Sequence, residues 1–248
     1  MTKDFTAGAG YFREGLRLIW RPGLRRFVLI PVIVNLLIFI AIAVLGSRYF
    51  STWVDRAVAW LPDWLSFIAW ILWLLFAALF LLVWVYGFVF LSNLLGSPFY
   101  GLLSEKVEEL LTGQAPDNPM TFKTMLMTVP RSLWREFQKL GYYLPRLLAI
   151  FVLGFLPLVQ LAAPVVSALF IAWMMAVQFV DFPADNRGVA FPLMRRSLAR
   201  RRILASSFGG LVFLATLVPI LNLVAMPAAV AGGTALWIRE LREDNQSK

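Results

Sequence analysis

Phe155-Leu156-Pro157-Leu158-Val159-Gln160-Leu161-Ala162-Ala163-Pro164 and Val218-Pro219-Ile220-Leu221-Asn222-Leu223-Val224-Ala225-Met226-Pro227 decide how this chain is read. Each stretch lies inside an uncharged region, 147–180 or 203–238, and each sets two prolines around one amide side chain. Proline removes a backbone donor and clashes with the preceding turn, so each region reads as helix, polar turn, helix. A leg of about 14 to 16 residues measures roughly 21 to 24 Å, short of the ~30 Å hydrocarbon layer. Two re-entrant hairpins are therefore expected. Unpaired backbone at membrane depth is tolerated only where protein or water covers it, which makes Gln160 and Asn222 candidate pore-lining residues.

The distribution of charge leads to the same topology. Of 23 Lys and Arg residues, only Arg48 and Arg56 fall in the connection between the first two apolar regions. The N-terminal segment, 105–146 and 181–202 are all net basic, and the C-terminal tail adds Arg239, Arg242 and Lys248, which places them together on the cytoplasmic side, both termini included. A single crossing by each late region would export Arg195-Arg196 and Arg200-Arg201-Arg202; a hairpin does not.

Composition sets the class. The chain has 248 residues, 60% of them hydrophobic and only 15% charged, against about a quarter charged in soluble domains. It reads as an all-α integral membrane protein forming a single membrane domain over 1–248. There is no histidine and no cysteine, so disulfides, thiolate nucleophiles, ordinary zinc and haem sites and a Ser-His-Asp triad are excluded. No catalytic residue, metal or cofactor is expected, and the chain is not read as an enzyme. The net charge of +9 follows membrane flanks and does not form an aromatic-interleaved surface, so nucleic acid is not an expected partner.

Taken in order, 1–22 forms an amphipathic helix with Phe12, Leu16 and Ile19 opposite Arg13, Arg17 and Arg21, expected to lie on the membrane surface. The first span covers 24–47 and carries Asn35, which serves either a pore or an interhelical hydrogen bond. Trp53, Trp60 and Trp64 are expected to be interfacial anchors. The second span covers 64–94 and is expected to break at Asn93, Gly96 and Pro98. Residues 105–146 are read as cytoplasmic or interfacial helices, with Leu133, Phe137, Leu140 and Leu144 opposite Arg131, Arg135 and Lys139.

The turn Pro22-Gly23-Leu24-Arg25-Arg26-Phe27 sets two guanidinium groups at the start of the first span. A helix start offers N–H donors and a positive dipole end, and with two arginines it has the makings of an oxyanion site. The same arginines also suit a plain cytoplasmic anchor. Glu105 and Glu108, one turn apart, either pair with Arg25 or Arg26 or form a solvated face.

Three ordered motifs, Pro22 to Phe27 with Pro31 and Asn35, Leu95-Gly96-Ser97-Pro98-Phe99 with Glu105-Lys106-Val107-Glu108, and Asp181-Phe182-Pro183-Ala184-Asp185-Asn186, resemble the CysZ sulfate permease family over nearly the whole chain. The resemblance implies a bacterial inner-membrane, multi-pass protein that brings sulfate into the cytoplasm for cysteine biosynthesis. It implies two long transmembrane helices, two hemi-penetrating hairpins and homo-oligomeric assembly among membrane lipids. It also implies sulfate held at Gly23, Leu24, Arg25 and Arg26. Arg187 stands where the family pattern has histidine, which puts any pH-sensing role at that position in doubt for this chain. A non-transport scaffold or anionic-lipid-binding protein, using Arg195 to Arg202, is the alternative. A helical acid/base pair of Asp181 and Asp185 is not expected, because Pro183 stands between them.

Overall fold

The computed structural model describes residues 2–60, 69–114, 122–156 and 160–242. The described residues are helical and contain no strand: α1 (Thr2–Leu18), α2 (Arg25–Ala59), α3 (Ala69–Thr112), α4 (Phe122–Leu153), α5 (Ala163–Asn186), α6 (Phe191–Arg200), α7 (Arg202–Thr216) and α8 (Pro219–Leu236), closed by a π-helical turn at Trp237–Leu241. Two compact units divide the chain. One is built from residues up to Val28 and from Pro98 onward, the other from Leu29–Ser97.

In the larger unit α1, α5, α7 and α8 pack against one another. Small residues allow this close approach. Gly8 and Gly15 meet the backbones of α7 and α8, and a methyl placed on Gly209 would stand 2.7 Å from the Ala176 nitrogen of α5. The apolar face expected on α1 is present, but protein covers it: Tyr11, Phe12, Leu18 and Ile19 are buried in the common core with Phe208, Ala228 and Trp237. Buried polar contacts bring in the last turns of α3. Ser104 and Thr234 hydroxyls lie 2.9 Å apart, and Asn186 Nδ2 donates to the Gly101 carbonyl at 3.0 Å.

The smaller unit consists of the long parts of α2 and α3, where Leu29, Ile33, Leu37, Ile40, Leu74 and Leu82 are exposed along both helices. Arg25–Gly46 and Ala163–Asn186 are each long and apolar enough to cross a bilayer. The second expected span begins at Trp64, outside the described residues.

Several expectations are corrected. Helix α2 runs on without a break from the first expected span, 24–47, to Ala59. The break expected at Asn93, Gly96 and Pro98 is absent, because α3 runs unbroken to Thr112. One proline removes a single backbone hydrogen bond, and α3 continues through it. The same motif nonetheless marks the boundary between the two units, at Ser97 and Pro98. Helix α5 likewise passes through Pro183 and reaches 24 residues, well beyond a leg of 14 to 16. The Phe179 carbonyl, to which residue 183 cannot donate, faces Gly233, where a methyl would come within 2.7 Å.

Both regions contain a helix break, but the second lies at Leu217 and Val218, and Asn222 and Pro227, expected in the polar turn, lie inside α8, because Pro219 fits the first turn of a helix and one internal proline removes only one hydrogen bond. Helix α4 ends at Leu153 and α5 begins at Ala163, while α7 ends at Thr216 and α8 begins at Pro219. Pro157 lies outside the described residues. Both tips expose apolar side chains: Phe155, Leu161 and Val165 in the first, Leu214, Leu217 and Leu221 in the second.

Candidate anion site

The chain leaves α1 through a tight turn. Arg21 N–H donates to the Leu18 carbonyl at 3.0 Å, and Leu24 and Arg25 N–H both donate to the Arg21 carbonyl, at 3.1 and 3.3 Å. Gly23 has φ +92° with open space where a side chain would stand. Its glycine is thus required by backbone conformation, not by crowding. Leu24 and Val28 are buried and hold the turn on the core. Arg25 and Arg26, on the outward side, are exposed.

The Arg26 guanidinium carbon lies 5.0 Å from the Phe27 ring centroid. This cation–π contact orients the group without neutralising it. Neither Arg25 nor Arg26 has an ion-pair partner among the described residues. Because the Arg25 N–H is already bonded within the turn, the two guanidinium forks carry most of the donor capacity. Planar five-donor groups suit an acceptor-only oxyanion.

Glu108 does not serve these arginines. It is buried, and its carboxylate takes Arg187 at 2.7 Å and Arg242 at 3.7 Å. The arginine at the position where histidine was expected is therefore tied to Glu108. Glu105 is buried as well, on the same helix. Gln160 is exposed and borders an apolar recess of about 670 Å³ with Phe151, Phe155 and Ser167. Asn222 has its side-chain oxygen buried without a hydrogen-bond partner. The side chain of Asn35 lies outside the described residues.

Sequence reasoning missed a second arginine centre because it opposed the two faces of α4 without assigning either of them to the interior. Leu133, Trp134, Phe137, Leu140 and Leu144 are exposed, while Arg135 and Lys139 are buried. Arg135 Nε donates to both Asp181 oxygens at 2.9 and 3.0 Å, Nη2 donates to Oδ1 at 2.6 Å, and Nη1 donates to the Val189 carbonyl at 2.6 Å. Asp185 adds a contact of 3.3 Å to Nη1, and Lys139 lies 3.0 Å from Asp181 Oδ2. The usable signal was a matched spacing: two cations at i, i+4 on α4 and two carboxylates at i, i+4 on α5. Burial beside Asp181 also pushes the Tyr143 phenol well above its ordinary range, desolvation being the larger cause.

Helices with exposed apolar faces, a small-residue core and basic turns define a helical membrane protein. The model of the family described as sulfate transporter CysZ/etoposide-induced protein 2.4 matches residues 11–227, and the chain belongs to that family. It is 43% identical to the sulfate transporter CysZ of Pseudomonas fluorescens (strain Pf0-1), over 99% of this chain and 98% of that protein. It is 46% identical to the protein of that name from Pseudomonas aeruginosa (strain LESB58), over 94% and 95%. It is also 42% identical to that of Pectobacterium atrosepticum, over 97% and 88%.

Proposed function

We propose that this protein carries sulfate across the bacterial inner membrane into the cytoplasm, feeding cysteine biosynthesis, and that sulfate is held at Gly23, Leu24, Arg25 and Arg26. The observation that carries the reading is the contrast in pairing: Arg135, Arg187 and Arg239 are spent on carboxylates, whereas Arg25 and Arg26 stand exposed and without an ion-pair partner beside a left-handed glycine. The names of the relatives supply the ligand. Two full charges are costly at the bilayer centre, so the site belongs at the cytoplasmic face or in a wet vestibule.

The hairpin tips are read as re-entrant, with termini and basic segments cytoplasmic. The outward apolar face of α4 supports an interfacial position for that helix. A buried amide oxygen without a partner costs about 1–3 kcal/mol, so the Asn222 tip is read as completed by water or by another subunit of a homo-oligomer in the membrane. Glu105 and Glu108 act as supporting residues through the packing of α3, and Gln160 and Asn35 are read as pore-lining.

Proteoliposomes containing the purified protein are expected to accumulate radiolabelled sulfate, and Arg25→Ala with Arg26→Ala is expected to abolish sulfate binding while the oligomer persists. Normal binding by the double variant overturns the site assignment. Failure of the unmodified protein to move sulfate, with anionic-lipid binding retained, favours the scaffold reading.

A further inference from the structure

Along α1 lies a recess of about 520 Å³ bordered by Tyr11, Arg13, Glu14, Arg17, Arg21 and Arg239. Arg13 and Arg17 lie one turn apart on one face of α1, and Arg21 follows in the turn just beyond Leu18 and borders the same recess. All three are exposed, and none has an ion-pair partner among the described residues.

The one carboxylate on this wall is already committed. Glu14 accepts two parallel bonds from Arg239, both of 2.7 Å, and the Arg239 guanidinium carbon lies 6.0 Å from the Tyr11 ring centroid. Tyr11 in turn donates its hydroxyl to Glu240 at 2.8 Å. The fork from Glu14 holds Arg239 in place as one side of the recess, and the three uncompensated arginines form the other. Like charges at i, i+4 repel. Cytoplasmic topology accounts for basic residues here, but it does not require three of them to converge on a concave surface whose acidic residue is neutralised.

We propose that this recess is a second anion site that takes an organic phosphate or sulfate ester, separate from the turn bearing Arg25 and Arg26. The chemistry follows from the donors: guanidinium forks recognise tetrahedral oxyanions. The size follows from the volume, which falls in the range of roughly 300–1,000 Å³ used by small organic ligands and is far larger than inorganic sulfate needs. Tyr11 and Leu18, both largely buried, and Ala7 and Gly10 of α1 supply the uncharged part of the lining, where the organic portion would lie. Such an ester reaches the recess either as the headgroup of an anionic phospholipid or as a soluble metabolite.

The test uses the full chain in neutral detergent and titrates two probes, short-chain phosphatidylglycerol and adenosine 5′-monophosphate, by calorimetry. Arg13→Gln with Arg17→Gln and Arg21→Gln is expected to weaken at least one probe about tenfold or more, the scale of one or two lost charge-assisted contacts. Arg25→Ala with Arg26→Ala is expected to leave that binding intact. Binding of the lipid alone identifies the headgroup as the source, and binding of the nucleotide alone identifies the soluble ester. Single Arg17→Gln, with elution volume checked, replaces the triple variant if the latter aggregates, and a several-fold loss is then expected. The proposal is overturned if neither probe binds the unmodified protein saturably, or if the arginine variants bind as tightly as it does. Because sulfate binding at Arg25 and Arg26 is measured separately, its failure leaves this result unaffected.

Discussion

Two arginine centres in this protein are built from the same side chain and do opposite things. Arg135 is buried between α4 and α5 and satisfied by Asp181, Asp185 and the Val189 carbonyl. Arg25 and Arg26 stand exposed at a glycine turn with no carboxylate. A buried guanidinium must be neutralised within the fold, or its desolvation goes uncompensated. One left in water at a helix start keeps its charge available for a ligand. The comparison thus separates an arginine that holds helices together from arginines that, as proposed, are left available to an anion.

The largest effect is expected on the buried side. Asp181→Ala strands Arg135 and Lys139 without their shared carboxylate and should cost about 3–5 kcal/mol, read as a lowered melting temperature in detergent. An unchanged melting temperature would break the comparison at its structural half. Next comes Arg25→Ala with Arg26→Ala, where sulfate affinity should fall by about 3–6 kcal/mol, enough to abolish measurable binding, since hydrogen bonds to charged groups contribute about 1.5–3 each. Stability should stay within roughly 0.5 kcal/mol, as for surface substitutions. Calorimetry and thermal unfolding on the same preparation check both.

Gly23→Ala sharpens the same half. With φ at +92°, a side chain there should cost about 1–2 kcal/mol, shared between lower stability and a sulfate site displaced with the turn. Equal stability and binding in this variant would mean that the turn conformation is not needed. The smallest effect belongs to Glu14→Gln, which removes a partly exposed pair with Arg239 and should change stability by about 0–1 kcal/mol. A large loss there would place the Arg239 fork among the structural contacts with Arg135.

Much of this was legible because it depends on local rules. The amphipathic pattern of α1, the helix break around Gln160, the proline that opens α8 and the redirecting glycine at position 23 all rest on periodicity, proline or glycine, although Asn222, expected in a turn, lies inside α8. What local rules misjudged were helix continuity and facing. Gly96 and Pro98 interrupt neither backbone direction nor helix, and Pro183 lies inside α5 with Asp181 and Asp185 on one side of it. Propensity marks a break at each proline, whereas a long helix loses only one backbone hydrogen bond there and continues, as α3 and α5 do. For α4, the hydrophobic pattern correctly identified two faces, but which one turned inward depended on carboxylates more than forty residues away.

By itself, then, the sequence determined that this is a helical membrane protein with basic turns, hairpin breaks and an arginine pair at a glycine, because composition and short-range stereochemistry settle those matters. Only the tertiary structure decided which arginines are neutralised. Neutralisation depends on the distance between charges on different helices, as between Arg135 on α4 and Asp181 on α5, and no periodicity within either helix contains that distance.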